Sequence, residues 1–268
     1  MTARRYAVLA DIHGNLAALD AALEAARRAQ VSDYLVLGDL VGYGAHPNEC
    51  VERVAALDAL SVAGNHDLMA IGRLKDERCI DLGRACIKWT RRVLAPSTRE
   101  FLEALPITAV TGDGMVLAHG TLDDTEAYTA TSAEAARQLV RLAETASDAR
   151  VLLLGHTHRA LAYSERRGLL GTASPLPLTA SDRLVVNPGA VGQSREPRLR
   201  ARMAIVDLDA KVTRWIRLGY DARGERAALI AAGLPAGAIH LRPGPRRVAR
   251  VVIDRTLRTK ARISGRAA

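Results

Sequence analysis

Five short polar clusters in this chain carry side chains that can hold metal ions. They are Asp11-Ile12-His13-Gly14-Asn15, Gly38-Asp39, Gly64-Asn65-His66-Asp67, His119-Gly120 and Gly155-His156-Thr157-His158. Five of the seven histidines fall within them. Hard carboxylate oxygens and borderline imidazoles together suit Mn, Fe, Zn, Co or Ni. The Asp-x-His and His-x-His spacings place alternate side chains on one side of an extended segment, where two ligands can face one ion. Glycines flank nearly every cluster and permit sharp turns and close backbone approach to metal or phosphate. Taken singly, each cluster has a plainer reading, because Asn, Asp and Gly favour turns. Five of them, each following an apolar run, are hard to explain as turns.

The elements that must position these clusters are legible as alternating apolar runs and amphipathic stretches. Residues 6–10 read as a buried strand, and residues 15–28 repeat apolar side chains at helical spacing, with Asn15 suited to capping the helix. Residues 34–37 read as a second strand, 47–57 as a helix with Pro47 in its first turn, and 59–63 as a third strand. This βαβαβ order predicts parallel pairing in a layered α/β fold. Residues 68–105 read as mostly helical, broken by Pro96. Residues 107–110 and 115–118 form a hairpin around Gly112-Asp113-Gly114. A helix over 133–145, a buried strand over 151–154, strands over 203–208 and 212–218 and a short helix over 222–232 complete the reading. In parallel α/β sheets ligands bind outside the carboxyl ends of the strands, so the five clusters should converge on one crevice.

Composition sets the limits. The chain has 268 residues, 49% of them hydrophobic, which is enough for a sizeable core without disulfide staples. No stretch approaches the ~20 apolar residues of a membrane helix. The apolar run after Arg4 and Arg5 stops at Asp11, too short for a signal peptide. Cys50, Cys79 and Cys86 are odd in number and lack CxxC spacing, so a reducing cytoplasm is expected. The net charge of +9 is uneven: residues 241–268 hold nine Lys or Arg and one acid, +8 in all, leaving +1 for the other 240. The expected organisation is therefore a nearly neutral domain over 1–243 and a basic tail over 244–268. Any nucleic-acid partner would act through that tail, since aromatic residues are only 3% of the chain and stacking platforms are scarce.

The five clusters, in their order, resemble the calcineurin-like metallophosphoesterase superfamily, and most resemble its small prokaryotic YfcE-type phosphodiesterase branch. The stretches LADIHGN, GDLVGYG, Asn187-Pro188-Gly189-Ala190-Val191-Gly192-Gln193 and Gly219-Tyr220-Asp221 are also family-like, and the resemblance spans about residues 5–240. It implies a layered α-β-β-α sandwich with a dinuclear metal site at the carboxyl ends of the strands. One metal would be bound by Asp11, His13 and His158, the other by Asn65, His119 and His156, with Asp39 bridging. The two divalent ions, Mn or Fe favoured, would hold a bridging hydroxide that attacks a phosphodiester or phosphomonoester. His66 would be the catalytic histidine, oriented by Asp67 through its other ring nitrogen, and Arg195 could meet substrate phosphate.

The implied partner is a phosphate-ester substrate, with no membrane; a homo-oligomer is left open. A competing reading is a metal-bearing regulatory or binding module with little turnover, which would be expected to show gaps in the ligand set. A metallo-β-lactamase-type hydrolase would need His-x-His-x-Asp-His, and Gly155-His156-Thr157-His158-Arg159 does not continue that way.

Overall fold

The computed structural model describes residues 4–241, so the basic tail lies outside the described residues. The first sheet is built around β1 (Arg5–Leu9), β2 (Asp33–Val36) and β3 (Leu60–Ser61), which pair in parallel in the order β3-β2-β1. Helices α1 (Leu16–Arg28) and α2 (Pro47–Ala55) supply the crossovers between them. After β3 come α3 (Asn65–Ala70), α4 (Asp81–Val93) and α5 (Pro96–Ala104).

The second sheet begins with the hairpin β4 (Thr108–Val110) and β5 (Val116–Ala118), followed by α6 (Ser132–Thr145) and β6 (Val151–Leu153). It continues through β7 (Leu161–Ser164), β8 (Gly168–Leu170) and β10 (Leu184–Asn187), in the order β4-β5-β6-β10-β7-β8. The strands β9 (Leu176–Pro177), β11 (Ala201–Asp207) and β12 (Val212–Leu218) return to the first sheet, and α7 (Ala222–Ala231) follows. Within the second sheet β5, β6 and β10 are parallel. Each sheet thus contributes three parallel strands.

Residue alternation shows why two sheets stack. In β1, Ala7 and Leu9 face α1 and its Ala18, Leu19, Ala22 and Ala26. Val8 and Ala10 face the other way, into a layer with Leu35, Leu37, Leu117, Leu153 and Val186. In β5, Leu117 points into that layer, while Val116 and Ala118 pack with Leu139 and Leu142 of α6. Both faces of both sheets are covered, so their central strands read as unbroken apolar runs. The result is the α-β-β-α sandwich.

Two stretches differ from the sequence reading. The third strand shrinks to Leu60–Ser61. The region 68–105 is three helices, with residues 71–80 outside any of them: Gly72, at φ +82°, turns the chain away after α3. Pro96 opens α5 at its first turn as much as it ends what precedes. No described helix is long and apolar enough to cross a membrane.

Leu153 is fully buried in the layer between the sheets, two residues before the Gly155-His156-Thr157-His158 loop. Leu153→Ala is expected to destabilise the fold by about 2–5 kcal/mol. A denaturant titration of the purified variant measures this, and a loss under 1 kcal/mol would mean the inter-sheet layer is loosely packed.

Candidate metal centre

The loops that leave the parallel strands are sewn together at the seam between the sheets. After β1 and β2, Asp11 donates its backbone N–H to Gly38 O (3.1 Å), and His13 donates to Asp39 O (2.8 Å). The loop after β10 crosses to the first sheet, where Val191 donates to Ala10 O and Gly192 to Asp11 O, each at 2.9 Å. Gly155 donates to His119 O (2.8 Å), tying the loops after β6 and β5. Asn187 donates its side-chain amide to Gly155 O (2.6 Å) and closes the histidine loop from below.

These loops bring the predicted residues together in two groups. Asp11, His13, Asp39 and His158 offer one ligand atom each within 4.8 Å of one another, and so do Asp39, His119 and His156. Asp39 belongs to both. Asn65 joins the second group through its Oδ1, 3.1 Å from His119 Nε2. All of these side chains are buried.

The candidate ligands do not lie on extended segments, contrary to the expectation from the Asp-x-His and His-x-His spacing. Asp11, His13, Asp39, His156 and His158 all have φ between +50° and +63°. That is the left-handed region, which non-glycine residues rarely occupy. Here the turn, not strand alternation, aims both side chains of each pair inward, and the strain is held by the loop-to-loop hydrogen bonds.

Hydrogen bonding fixes which atoms face the centre. His13 Nδ1 faces Val41 O (3.0 Å), His119 Nδ1 faces Leu37 O (2.6 Å) and His158 Nδ1 faces Gln193 O (2.6 Å). Each can only donate to a carbonyl, which leaves Nε2 to the centre. His156 is reversed: Nε2 donates to Glu126 O (3.0 Å) and buried Nδ1 has no partner. Each carboxylate likewise uses one oxygen as a brace and leaves the other free. Asp11 Oδ1 accepts from the His156 N–H (3.1 Å), Asp39 Oδ1 accepts from the His66 N–H (2.8 Å), and both Oδ2 atoms are buried without partners. Asp39 Oδ2 lies 3.4 Å from His13 Nε2 and 3.3 Å from His119 Nε2, between the two groups.

Electrostatics says what this donor set fits. Burial pushes the His13 and His158 imidazoles well below their usual range, so both are neutral, yet their Nε2 lone pairs meet at 3.3 Å. Burial also lowers His156, to about 3. Burial pushes the Asp11 carboxyl up to about 7. His119 overcomes its burial through Asp39 and rises to about 9. Its Nε2 proton then lies among Asp39 Oδ2 and Asn65 Oδ1, standing where a cation would. Orphaned carboxylate oxygens, facing lone pairs and a buried proton in place of a cation all fit divalent metal.

The remaining predicted residues surround this centre. His66 packs its ring against His13 and Tyr43, at centroid separations of 4.8 and 4.9 Å, and its buried Nδ1 has no partner. Burial lowers its pKa. Gly42, at φ +133°, passes so close that a Cβ there would lie 2.6 Å from His66 Nδ1. Asp67 does not meet the His66 ring, a correction to its expected role. Its Oδ2 accepts from the N–H groups of Asp39 (2.8 Å) and Gly64 (2.9 Å), and its Oδ1 from Leu40 (2.8 Å) and Val41 (3.1 Å). It braces the Asp39 loop. Arg195 is partly buried beside the centre, donating to Gln193 Oε1 (3.3 Å) and the Tyr128 hydroxyl (3.0 Å). Asp123 and Asp124 pair outward with Arg141 and Arg78.

A calcineurin-like phosphoesterase superfamily domain matches residues 5–211, most of the chain. The chain belongs to this superfamily. A protein of Methanocaldococcus jannaschii is 30% identical over 232 residues, covering 85% of this chain and 93% of that one. The crystal structure of a metallophosphoesterase from Sphaerobacter thermophilus is similar at 34% identity and a TM-score of 0.74, covering 88% of this chain and 97% of its own. A Pyrococcus horikoshii structure shares the fold at 21% identity, with a TM-score of 0.72 and coverage of 88% and 96%.

Sequence reasoning singled out the GDLVGYG stretch but gave Gly42 and Tyr43 no role: Tyr43 packs against His13 and His66, and Gly42 matters through its closeness to both imidazoles. Tyr128, which lines the site from a loop with no periodic signal, was missed. Asp39→Asn is expected to lower metal content in both ligand groups, whereas Asn65→Ala should weaken mainly the second. Elemental analysis of both variants checks this, and full metal retention in Asp39→Asn would remove Asp39 from the bridge.

Ligation by these groups would need Asp11 ionised and His119 neutral, whereas burial raises Asp11 to about 7 and Asp39 raises His119 to about 9. Metal uptake at neutral pH is therefore expected to release protons, and affinity to climb as pH rises through those values. Calorimetry in buffers of different ionisation enthalpy measures this, and a pH-independent affinity would contradict it.

Proposed function

We propose that this phosphoesterase hydrolyses phosphodiester or phosphomonoester bonds with two divalent cations, Mn or Fe favoured. The observation that carries the reading is Asp39 Oδ2, buried with no hydrogen-bond partner, 3.4 Å from His13 Nε2 and 3.3 Å from His119 Nε2, and so shared between two candidate ligand groups. Asp11, His13 and His158 would hold one ion; Asn65, His119 and His156 would hold the other. Held by these residues, two divalent ions would supply an activated water as nucleophile and a positive clamp for the phosphoryl oxygens.

The chain's own groups do the rest. His66 Nδ1 is buried without a partner, on the side where only a glycine fits at position 42, so Nε2 is the nitrogen that would face the substrate and carry the transferable proton. Burial keeps the free imidazole neutral, and the negative charge of a phosphate ester beside it favours the imidazolium. Nε2 then protonates the departing oxygen. Asp67 acts through the backbone, since its four amide contacts set where Asp39 and His66 sit. Arg195 supplies a guanidinium for phosphate oxygens.

His66→Ala tests the assignment. It is expected to keep its metals and fold and to lose about 10²–10⁴ in kcat on an alkyl diester, whose leaving group needs a proton. The loss should be smaller on a nitrophenyl ester, which leaves unprotonated. Metal loss would make His66 a ligand, and equal losses on both esters would point to phosphate binding instead. A wild-type chain that binds two metals yet hydrolyses no mono- or diester would be the regulatory module rather than an enzyme.

A further inference from the structure

Tyr128 stands at the rim of the metal centre and is 46% exposed. Its ring stacks on His156, with centroids 4.3 Å apart and planes 22° from parallel. Its hydroxyl accepts from Arg195 Nη1 at 3.0 Å. One side chain therefore touches both a ligand-group histidine and the cation beside the site. Among the described residues, the Arg195 guanidinium is held by neutral groups, Tyr128 and Gln193, rather than by a carboxylate. Its charge remains available to an anion.

The segment around Tyr128 works as a strap. Glu126 O accepts from His156 Nε2 (3.0 Å), and that contact is what turns His156 Nδ1 toward the centre. The Glu126 and Asp124 carboxylates pair with Arg78, at 3.2 and 3.4 Å, tying the strap to the segment between α3 and α4. Gln193 completes the circle. Its side chain accepts from Arg195 Nε, its backbone carbonyl holds His158 Nδ1, and its buried Nε2 has no partner. Arg195 Nη1 and Gln193 Nε2 are thus two donors beside the centre, one charged and one unsatisfied.

We propose that Tyr128 is a positioning residue that couples the two halves of the site: its hydroxyl aims Arg195 at substrate phosphate, and its ring holds His156 in its ligating orientation. The two contacts are separable. The hydroxyl sets anion affinity; the ring sets metal affinity in the His119 and His156 group. This rests on the phosphoesterase reading above, but its readouts are binding constants and do not require turnover.

The test compares Tyr128→Phe, which keeps the ring, with Tyr128→Leu, which removes it. Mn²⁺ and then inorganic phosphate are titrated by calorimetry into the full chain. Tyr128→Phe is expected to bind Mn²⁺ as the wild type does and to bind phosphate about 10-fold more weakly, the scale of a lost hydrogen bond to a charged group. With an ester substrate, KM should rise by a similar factor and kcat change little. Tyr128→Leu should weaken phosphate as much and also weaken one of the two Mn²⁺ steps by about 10-fold, in the range seen for groups that orient metal ligands. Arg195→Ala should reproduce the phosphate defect, and adding Tyr128→Phe to it should have no further effect. Phosphate affinity unchanged in Tyr128→Phe would overturn the hydroxyl's role, and Mn²⁺ affinity unchanged in Tyr128→Leu would overturn the ring's. A wild type that binds both probes but turns over no ester would defeat the phosphoesterase reading while leaving this coupling standing or falling on the variants.

Discussion

Lone pairs that face one another in a buried space repel unless something positive lies between them, and this centre is built around that constraint. His13 Nε2 and His158 Nε2 meet at 3.3 Å, and neither can turn away, because each ring's Nδ1 is committed to a backbone carbonyl. The free oxygens of Asp11 and Asp39 add negative charge to the same volume. Without a cation the only relief among these groups is protonation, and His119 shows it, rising to about 9 beside Asp39. Every brace that holds a ligand in place also forbids the rearrangement that would relieve the repulsion. A site of this kind stores affinity for divalent ions in its own discomfort.

The scaffold must therefore resist the site. Left-handed backbone at five candidate ligand residues is unfavourable, and it persists because neighbouring loops hold it from several directions. The Asp67 carboxylate is the densest of these holds. Burial and the nearby Asp39 charge push it up to about 7, while four backbone N–H donors pull the other way. A buried carboxylate satisfied by amides is a rigid anchor, and it fixes the Asp39 loop to the start of α3, where Asn65 and His66 begin. The strands beneath contribute stiffness. Val8, Leu37, Leu117 and Leu153 pack the two sheets face to face, and the seam they create is where the loops meet.

Much of this was legible in the sequence, for a physical reason. Strands covered on both faces appear as short apolar runs, and a polar cluster directly after such a run has few roles besides lining the strand ends. Asp11, His13, Asp39, Asn65, His119, His156 and His158 all met that pattern, and the structure gathers them at one seam. Backbone conformation was not legible, so the alternation argument for Asp-x-His found the right residues for the wrong reason. Asp67 was misplaced because adjacency to His66 suggested a side-chain pair. The signal for its actual role was its position three residues after Gly64, where an acidic side chain reaches back to the helix start. Gly72 similarly marked the end of α3 inside a stretch read as helix. Tyr128 had no signal at all: it lies in a loop, and its meaning comes from His156 and Arg195, 28 and 67 residues away along the chain.

Centre and rim obey different demands. Metal ligands must be buried, braced and few in kind, since softness and geometry decide what they hold. Rim residues must be exposed enough to meet a substrate, yet ordered enough not to lose affinity to side-chain entropy. Tyr128 meets both conditions by borrowing order from the centre: the His156 ring holds one face of it, and the rest stays open. Arg195 then takes its direction from Tyr128 and Gln193 rather than from a carboxylate that would neutralise it. The rigidity needed to hold metal is thereby extended outward by one shell of neutral contacts, which orient a cation without consuming its charge.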